Sequence, residues 1–161
     1  MAKIIGIDPG LAATGIGIVT GTGFEIKSFH YGSISTSQNH SMPARLNKIF
    51  SDLMEVLEKE KPDLMIVEDT FYLKEYPKSG LTLGKVTGII LLASFKNNVP
   101  VFEIPVKEAK HALTGNGNAS KAQLEETVRH ILNVKEQLKP YHASDALALS
   151  IIGLYRYDSL S

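Results

Sequence analysis

Lys3-Ile-Ile-Gly-Ile-Asp-Pro-Gly10 opens the chain with a short run of isoleucines that stops at Asp8-Pro9-Gly10. An apolar run of this length, ended by turn residues, reads as a buried strand whose last side chain is a carboxylate. Working outward, Thr14–Thr20 (TGIGIVT) alternates Gly with Ile and Val and reads as a second strand. Phe24–Gly32 reads as a third, and Gly21-Thr-Gly23 between them supports a hairpin with a short glycine loop. Ser41-Met-Pro43 then offers a cap and an early proline. Behind it, Leu46, Ile49, Phe50, Leu53, Met54 and Leu57 recur on one helical face, with Lys48, Asp52, Glu55, Glu58 and Lys59 on the other. Pro62-Asp63 closes that helix. Leu64–Val67 follows as a four-residue apolar strand that delivers Glu68-Asp69. An apolar strand after a helix suggests a parallel strand covered on both faces.

Residues 69–80 are polar and read as a loop carrying Lys74, Pro77 and Gly80. Leu81–Phe95 is helical in pattern, and Gly84 and Gly88, four apart, would let that helix approach another backbone closely. Val99–Ile104 makes a last short strand. Pro105–Leu113 and Ser120–Leu132 read as helices separated by Thr114-Gly-Asn-Gly-Asn118, and a final helix spans about Tyr141–Tyr155. The order is β-β-β-α-β-α-β-α-α-α: an α/β protein with a mixed sheet and helices on both faces. One domain over residues 1–158 is expected, with 159–161 as a tail.

Composition narrows the function. With 161 residues, the chain is long enough to bury a core without staples, and 43% hydrophobic residues supply one. The absence of cysteine excludes a disulfide scaffold, a zinc ribbon and a thiol nucleophile. The longest apolar run, Ile89–Phe95, is interrupted by Ser94 and falls far short of the ~20 residues that span a bilayer. MAKIIGIDPG lacks the pattern of a signal peptide, so a cytoplasmic, non-membrane protein is expected. Lys+Arg and Asp+Glu balance at 17 each, which argues against nucleic-acid binding by bulk positive charge. Any such binding must rest on basic residues gathered locally.

Three carboxylates occupy places where chemistry is usually found. Asp8 ends the first strand, Glu68 ends the fourth, and Asp145 lies on the last helix one turn after His142. Side chains at i and i+3 share a helix face. Ligands in open α/β proteins sit at the carboxyl ends of strands. Two strand-end acids, a helix acid and an imidazole suit Mg²⁺ or Mn²⁺, with phosphate oxygens completing the shell for two-metal phosphodiester hydrolysis. Plainer readings exist: Asp8-Pro-Gly as an Asx turn, Glu68-Asp69 as a solvated loop start, and His142 as a surface histidine. Asp145 resists one, because Ala143-Ser-Asp-Ala-Leu-Ala-Leu149 is otherwise small or apolar and a bare carboxylate there is costly to bury.

These segments form a series. Ile5-Gly-Ile-Asp-Pro-Gly10, Thr14-Gly-Ile-Gly17, Ile66-Val-Glu68 with Phe71, Leu83-Gly84, Val101-Phe-Glu103, Thr114-Gly-Asn-Gly117 with Lys121, and His142-Ala-Ser-Asp-Ala-Leu-Ala148 follow in order. From about residue 2 to 155 this resembles the RuvC family of Holliday-junction resolvases. The resemblance implies an RNase H-like fold, a homodimer, and Mg²⁺-dependent nicking of two opposed strands at a four-way DNA junction. It also implies two ions per site and a branch-migration helicase partner of the RuvA/RuvB type. Asp8, Glu68 and Asp145 match the family's metal-binding acids. His142 stands where many members carry Asp and some His, and imidazole shifts preference toward Mn²⁺. Phe71 matches an aromatic placed at the junction centre, where it can stack on a base. Lys110 and Lys121 match basic residues near the scissile phosphate; Lys107 and His111 lie beside them without so firm a match.

Three rival functions are weighed. Asp8-Pro-Gly with Thr14-Gly15 also resembles the phosphate hairpin of actin-like ATPases, which need two such domains. Another RNase H-like nuclease, of the RuvC-like type that processes ribosomal RNA, would differ in substrate. A junction-binding protein with a dead site would not need Asp8, Glu68, His142 and Asp145 together. The zero net charge fits a cleft in which Lys74, Lys78, Lys85, Lys107, Lys110 and Lys121 surround an acidic pocket, giving salt-sensitive, shape-dependent DNA binding.

Overall fold

The structure, a computed structural model, describes residues 1–69 and 77–160. Strands β1 (Ala2–Asp8), β2 (Ala13–Thr22) and β3 (Glu25–Ser35) form an antiparallel meander. Helix α1 (Met42–Glu60) leads to β4 (Leu64–Asp69), and α2 (Pro77–Lys96) to β5 (Val101–Pro105). Helices α3 (Val106–Thr114), α4 (Lys121–Leu132), α5 (Tyr141–Tyr155) and the short α6 (Tyr157–Leu160) complete the chain. The five strands lie in the order β3-β2-β1-β4-β5, with β4 parallel to β1 and β5 parallel to β4. A mixed sheet with helices on both faces is therefore what the sequence folds into. Two local expectations need correcting. Residues 77–80 are the first turn of α2 rather than loop, since proline suits a helix start where its missing N–H costs nothing. Residues 157–160 are helical as well.

Strand alternation sorts the core into two layers. Ile5, Ile7, Met65 and Val67 pack with Ile49, Leu53, Leu57, Val86 and Ile90 under α1 and α2. Ile4, Leu64 and Ile66 pack with Leu124, Val128, Leu147 and Ile151 under α4 and α5. Continuing each strand in steps of two places Asp8 and Glu68 on the α5 side. The parallel register, Ile7 opposite Val67, sets these two ends next to each other.

α5 is buried nearly all round, from Ala143 to Leu154, because it rests directly on backbone. A Cβ on Gly15 would lie 2.0 Å from the His142 carbonyl oxygen, one on Gly17 2.4 Å from the Leu147 nitrogen, and one on Gly6 2.0 Å from the Ala146 oxygen. Gly6 pairs with Gly17, and Asp8 with Gly15, so these glycines form a floor without side chains beneath the helix. Among the described residues, a Cβ on Gly84 or Gly88 would meet nothing within 4 Å, so the close approach expected there is not made by them.

Candidate active site

The glycine floor brings α5 down onto the ends of β1 and β4. His142 Nδ1 lies 3.0 Å from Asp8 Oδ2, bridging 134 positions of sequence. With its hydrogen on Nδ1 the imidazole donates to Asp8, leaving Nε2 for an ion or a water. Asp8 is only 8% exposed. Burial is the main cause that pushes its carboxyl up to about 6, against the hydrogen bond from Glu68 that favours its ionised form. Glu68 rises to about 8, first from burial and then because it donates to Asp8 and feels its charge. Each carboxyl is therefore harder to ionise because of burial and of the other acids beside it. Asp145 is also raised, chiefly by burial, with Glu68 adding repulsion and Lys121, His142 and Lys110 opposing it.

Lys121 and Lys110 are the cations that act on this cluster: Lys121 on all three acids, Lys110 on Glu68 and Asp145. Their placement follows from local chemistry. Ser120 and Gln123 form a reciprocal capping box that starts α4 at Lys121. The loop before it is tied down by Thr114 Oγ1 donating to the Lys110 carbonyl (2.7 Å) and by the Asn118 N–H donating to Asn116 Oδ1 (2.9 Å). Lys107 is exposed one turn before Lys110, and Lys78 and Lys85 are exposed on α2. Lys85 shares the solvent side of α2 with Gly84 and Gly88. Phe71 and Lys74 lie outside the described residues.

The turn after Asp8 is held by residues given no such part in the sequence reading. Thr14, fully buried, donates through Oγ1 to the Gly10 carbonyl at 2.7 Å. Thr36 Oγ1 donates to the Leu11 carbonyl at 2.5 Å and accepts from Arg45 Nε at 2.8 Å. A threonine fully buried beside a Pro-Gly turn was the available signal; nothing in the sequence pairs Arg45 with Thr36.

Chemically the site is an acid cluster in want of a cation. One buried carboxylate, two half-buried ones and one imidazole are hard oxygen and nitrogen donors, the set that fits Mg²⁺ or Mn²⁺. Among the described residues no three of these side chains are grouped tightly enough to cage an ion alone. The 280 Å³ hollow between β2, β3 and α1, lined by Ile16, His30, Tyr31 and Val56 among others, shares no residue with the site.

A sequence model of RuvC, crossover junction endodeoxyribonuclease, matches residues 4–153. The chain belongs to the RuvC family. The crossover junction endodeoxyribonuclease RuvC of Brevibacillus brevis is 39% identical over 149 residues, covering 92% of this chain and 89% of that protein. Its namesake from Thermotoga maritima is 37% identical, covering 92% and 88%. The solved structure of T. thermophilus RuvC in complex with Holliday junction substrate matches with a TM-score of 0.90 at 30% identity, covering 99% of this chain and 96% of that one. The sheet and its helices are accordingly RNase H-like, as the resemblance implied. The matches favour neither an RNA-processing nuclease nor an inactive junction binder.

Proposed function

We propose that this RuvC family member resolves four-way DNA junctions by paired nicks, with Asp8, Glu68, Asp145 and His142 holding Mg²⁺ or Mn²⁺, two ions per site. The observation that carries the reading is the meeting of His142 and Asp8 at 3.0 Å beside two further, half-buried acids and Lys121. When bound, the ions supply a nucleophilic hydroxide and neutralise the phosphate's developing charge. The residues do the rest. Asp8 and Glu68 would act as ligands in their ionised forms, the positive ions offsetting the burial and mutual repulsion that raise them. His142, aligned by Asp8, keeps Nε2 free for an ion or water. Lys121 adds positive charge next to the acids, where a phosphate would sit. Lys110 and Lys107 extend that charge along α3, and Phe71 is the proposed stacking aromatic.

Two opposed strands call for two sites, and α2 supplies a face on which they could be paired. Leu81, Leu92 and Phe95 are 65%, 48% and 80% exposed, and Gly84 and Gly88 share the same open side of the helix. A homodimer through this stripe would bury the aromatic and place the two sites about a dyad. A branch-migration helicase of the RuvA/RuvB type is the proposed partner, and the cytoplasm the proposed location. Among the described residues no helix is long and apolar enough to cross a membrane.

The test is a cleavage assay on synthetic four-way junctions, linear duplex and RNA, with and without Mg²⁺ or Mn²⁺. The wild type is expected to nick junctions in opposed pairs only with a divalent ion. Asp8→Asn is expected to bind junctions and not cut them. Near wild-type cutting by that variant would remove Asp8 from the ion shell, and equal cutting of duplex would overturn the junction reading.

A further inference from the structure

Glu125 lies on α4, one turn after Lys121 and one before Arg129, and is only 3% exposed. By spacing it passes for an ordinary surface ion pair. Its surroundings are different. Oε1 accepts the backbone N–H of Leu138 at 2.9 Å and lies 2.8 Å from Arg129 Nε. Arg129 in turn donates from Nη1 to the Lys135 carbonyl at 3.3 Å. Leu138 itself is 1% exposed and part of the core under α5. A carboxylate buried this deeply costs stability unless every interaction is placed, so this one is engaged in holding something.

What it holds is the segment that feeds α5. That helix begins at Tyr141 behind Pro140, and no side chain caps its start. Most helices fix their first turn with a capping Ser, Thr, Asp or Asn; here that means is missing. The nearest side-chain anchor before it is Glu125 on Leu138, two residues before the Pro140 cap. His142 is the second residue of α5 and Asp145 the fifth.

We infer that Glu125 is a positioning residue for the nuclease site, acting through the 135–140 segment on His142 and Asp145. With Arg129 it clamps α4 to the lead-in of α5. Because Lys121 stands on the same helix, the clamp also sets the lysine relative to the acids. The bonds from Glu125 to the Leu138 N–H and from Arg129 to the Lys135 carbonyl therefore register the two halves of the site that lie outside the sheet. The inference rests on the junction-resolving reading for its catalytic readout, and its other readouts are independent of that reading.

The test compares Glu125→Ala and Glu125→Gln with wild type in the full chain. Hydrogen exchange of the Leu138–Asp145 amides, Mn²⁺ binding without DNA, junction affinity and single-turnover cleavage are measured about 20 °C below each variant's Tm. Glu125→Ala should speed exchange in 138–145 while β1 and β4 stay protected. It should also weaken Mn²⁺ binding and slow cleavage by about 10- to 100-fold at unchanged junction affinity, the scale of an ångström-sized misplacement. Glu125→Gln, whose Oε1 can still accept from Leu138, should recover most of the rate. A folded Glu125→Ala with wild-type exchange, Mn²⁺ affinity and cleavage would overturn the inference, as would a variant that only melts earlier. If Glu125→Ala does not fold, Glu125→Asp carries the test, since it keeps the charge for Arg129 and loses the reach to Leu138. Wild-type protein that cuts no junction would instead count against the junction reading, and exchange with Mn²⁺ binding would then decide the clamp.

Discussion

α5 and α2 are both apolar helices associated with glycines, and they use them in opposite ways. Under α5 the glycines belong to the strands, and their missing side chains are filled by helix backbone at 2.0–2.4 Å from where a Cβ would stand. On α2 the glycines belong to the helix and meet none of the described residues, beside the exposed Leu92 and Phe95. The first arrangement is complete within one chain and assembles the site. The second leaves a face unfinished, which is where the proposed second copy belongs. Glycine spacing alone does not separate these cases; what lies opposite does.

The sharpest way to break the comparison is Gly15→Ala. The methyl would be driven into the His142 carbonyl, which is backbone and cannot rotate away. A loss of about 3 kcal/mol or more is expected, lowering Tm by roughly 10 °C and abolishing cleavage. A wild-type melting curve would show that α5 does not sit where it is described.

Next in size is Phe95→Glu. A charge at the end of the α2 stripe should weaken self-association by about 30-fold or more, as loss of an aromatic anchor does, and leave monomer stability within about 0.5 kcal/mol. Sedimentation measures the first and thermal melting the second. An unchanged dimer would move the proposed interface elsewhere.

A third prediction concerns pH, because the α5 seam encloses acids and the α2 stripe does not. Asp8 and Glu68 are raised in the fold from 3.8 and 4.5 to about 6 and about 8. The folded state therefore holds protons that the unfolded chain has lost. Their stabilising effect is full below the unfolded values and disappears as pH rises through the folded ones. Metal-free protein should melt at progressively lower temperature between pH 5 and 8.5, with Mg²⁺ restoring more at the upper end. Glu68→Gln should flatten that slope, and a slope unaffected by Glu68→Gln would mean that Glu68 is not raised in the fold.

The smallest effect is expected from Gly88→Ala. With none of the described residues within 4 Å of the methyl, a gain of up to about 1 kcal/mol in monomer stability is expected from helix propensity. Weaker self-association in the same variant would support the stripe as an interface. A destabilised monomer would mean the helix is packed on that side.

Much of this was legible because it rests on short-range rules. The isoleucine run to Asp8, the four-residue strand to Glu68 and the span of α5 could be read from period and punctuation alone. What could not be read depends on which elements meet. Gly15 and Gly17 registered as strand residues, yet their purpose appears only with α5 above them. Glu125 and Arg129 at i and i+4 imitate a solvated pair until Leu138 is folded against them. The start of α2 was lost because a polar first turn looks like loop.

The glycine floor has a further mechanical consequence. Gly15, Gly17 and Gly21 meet α5 at His142, Leu147 and Leu154, so twelve residue steps along the helix run alongside six along the strand. At 1.5 Å per helix residue and about 3.3 Å per strand residue, those lengths are roughly 18 and 20 Å, and the two scales run nearly in step. Sliding the helix by one turn, about 5.4 Å, would not match the strand's two-residue repeat of about 6.6 Å. Teeth would meet ridges instead of slots. α5 is thereby indexed along β2 like the slide of a gauge, and the position at which it locks is the one that sets His142 against Asp8.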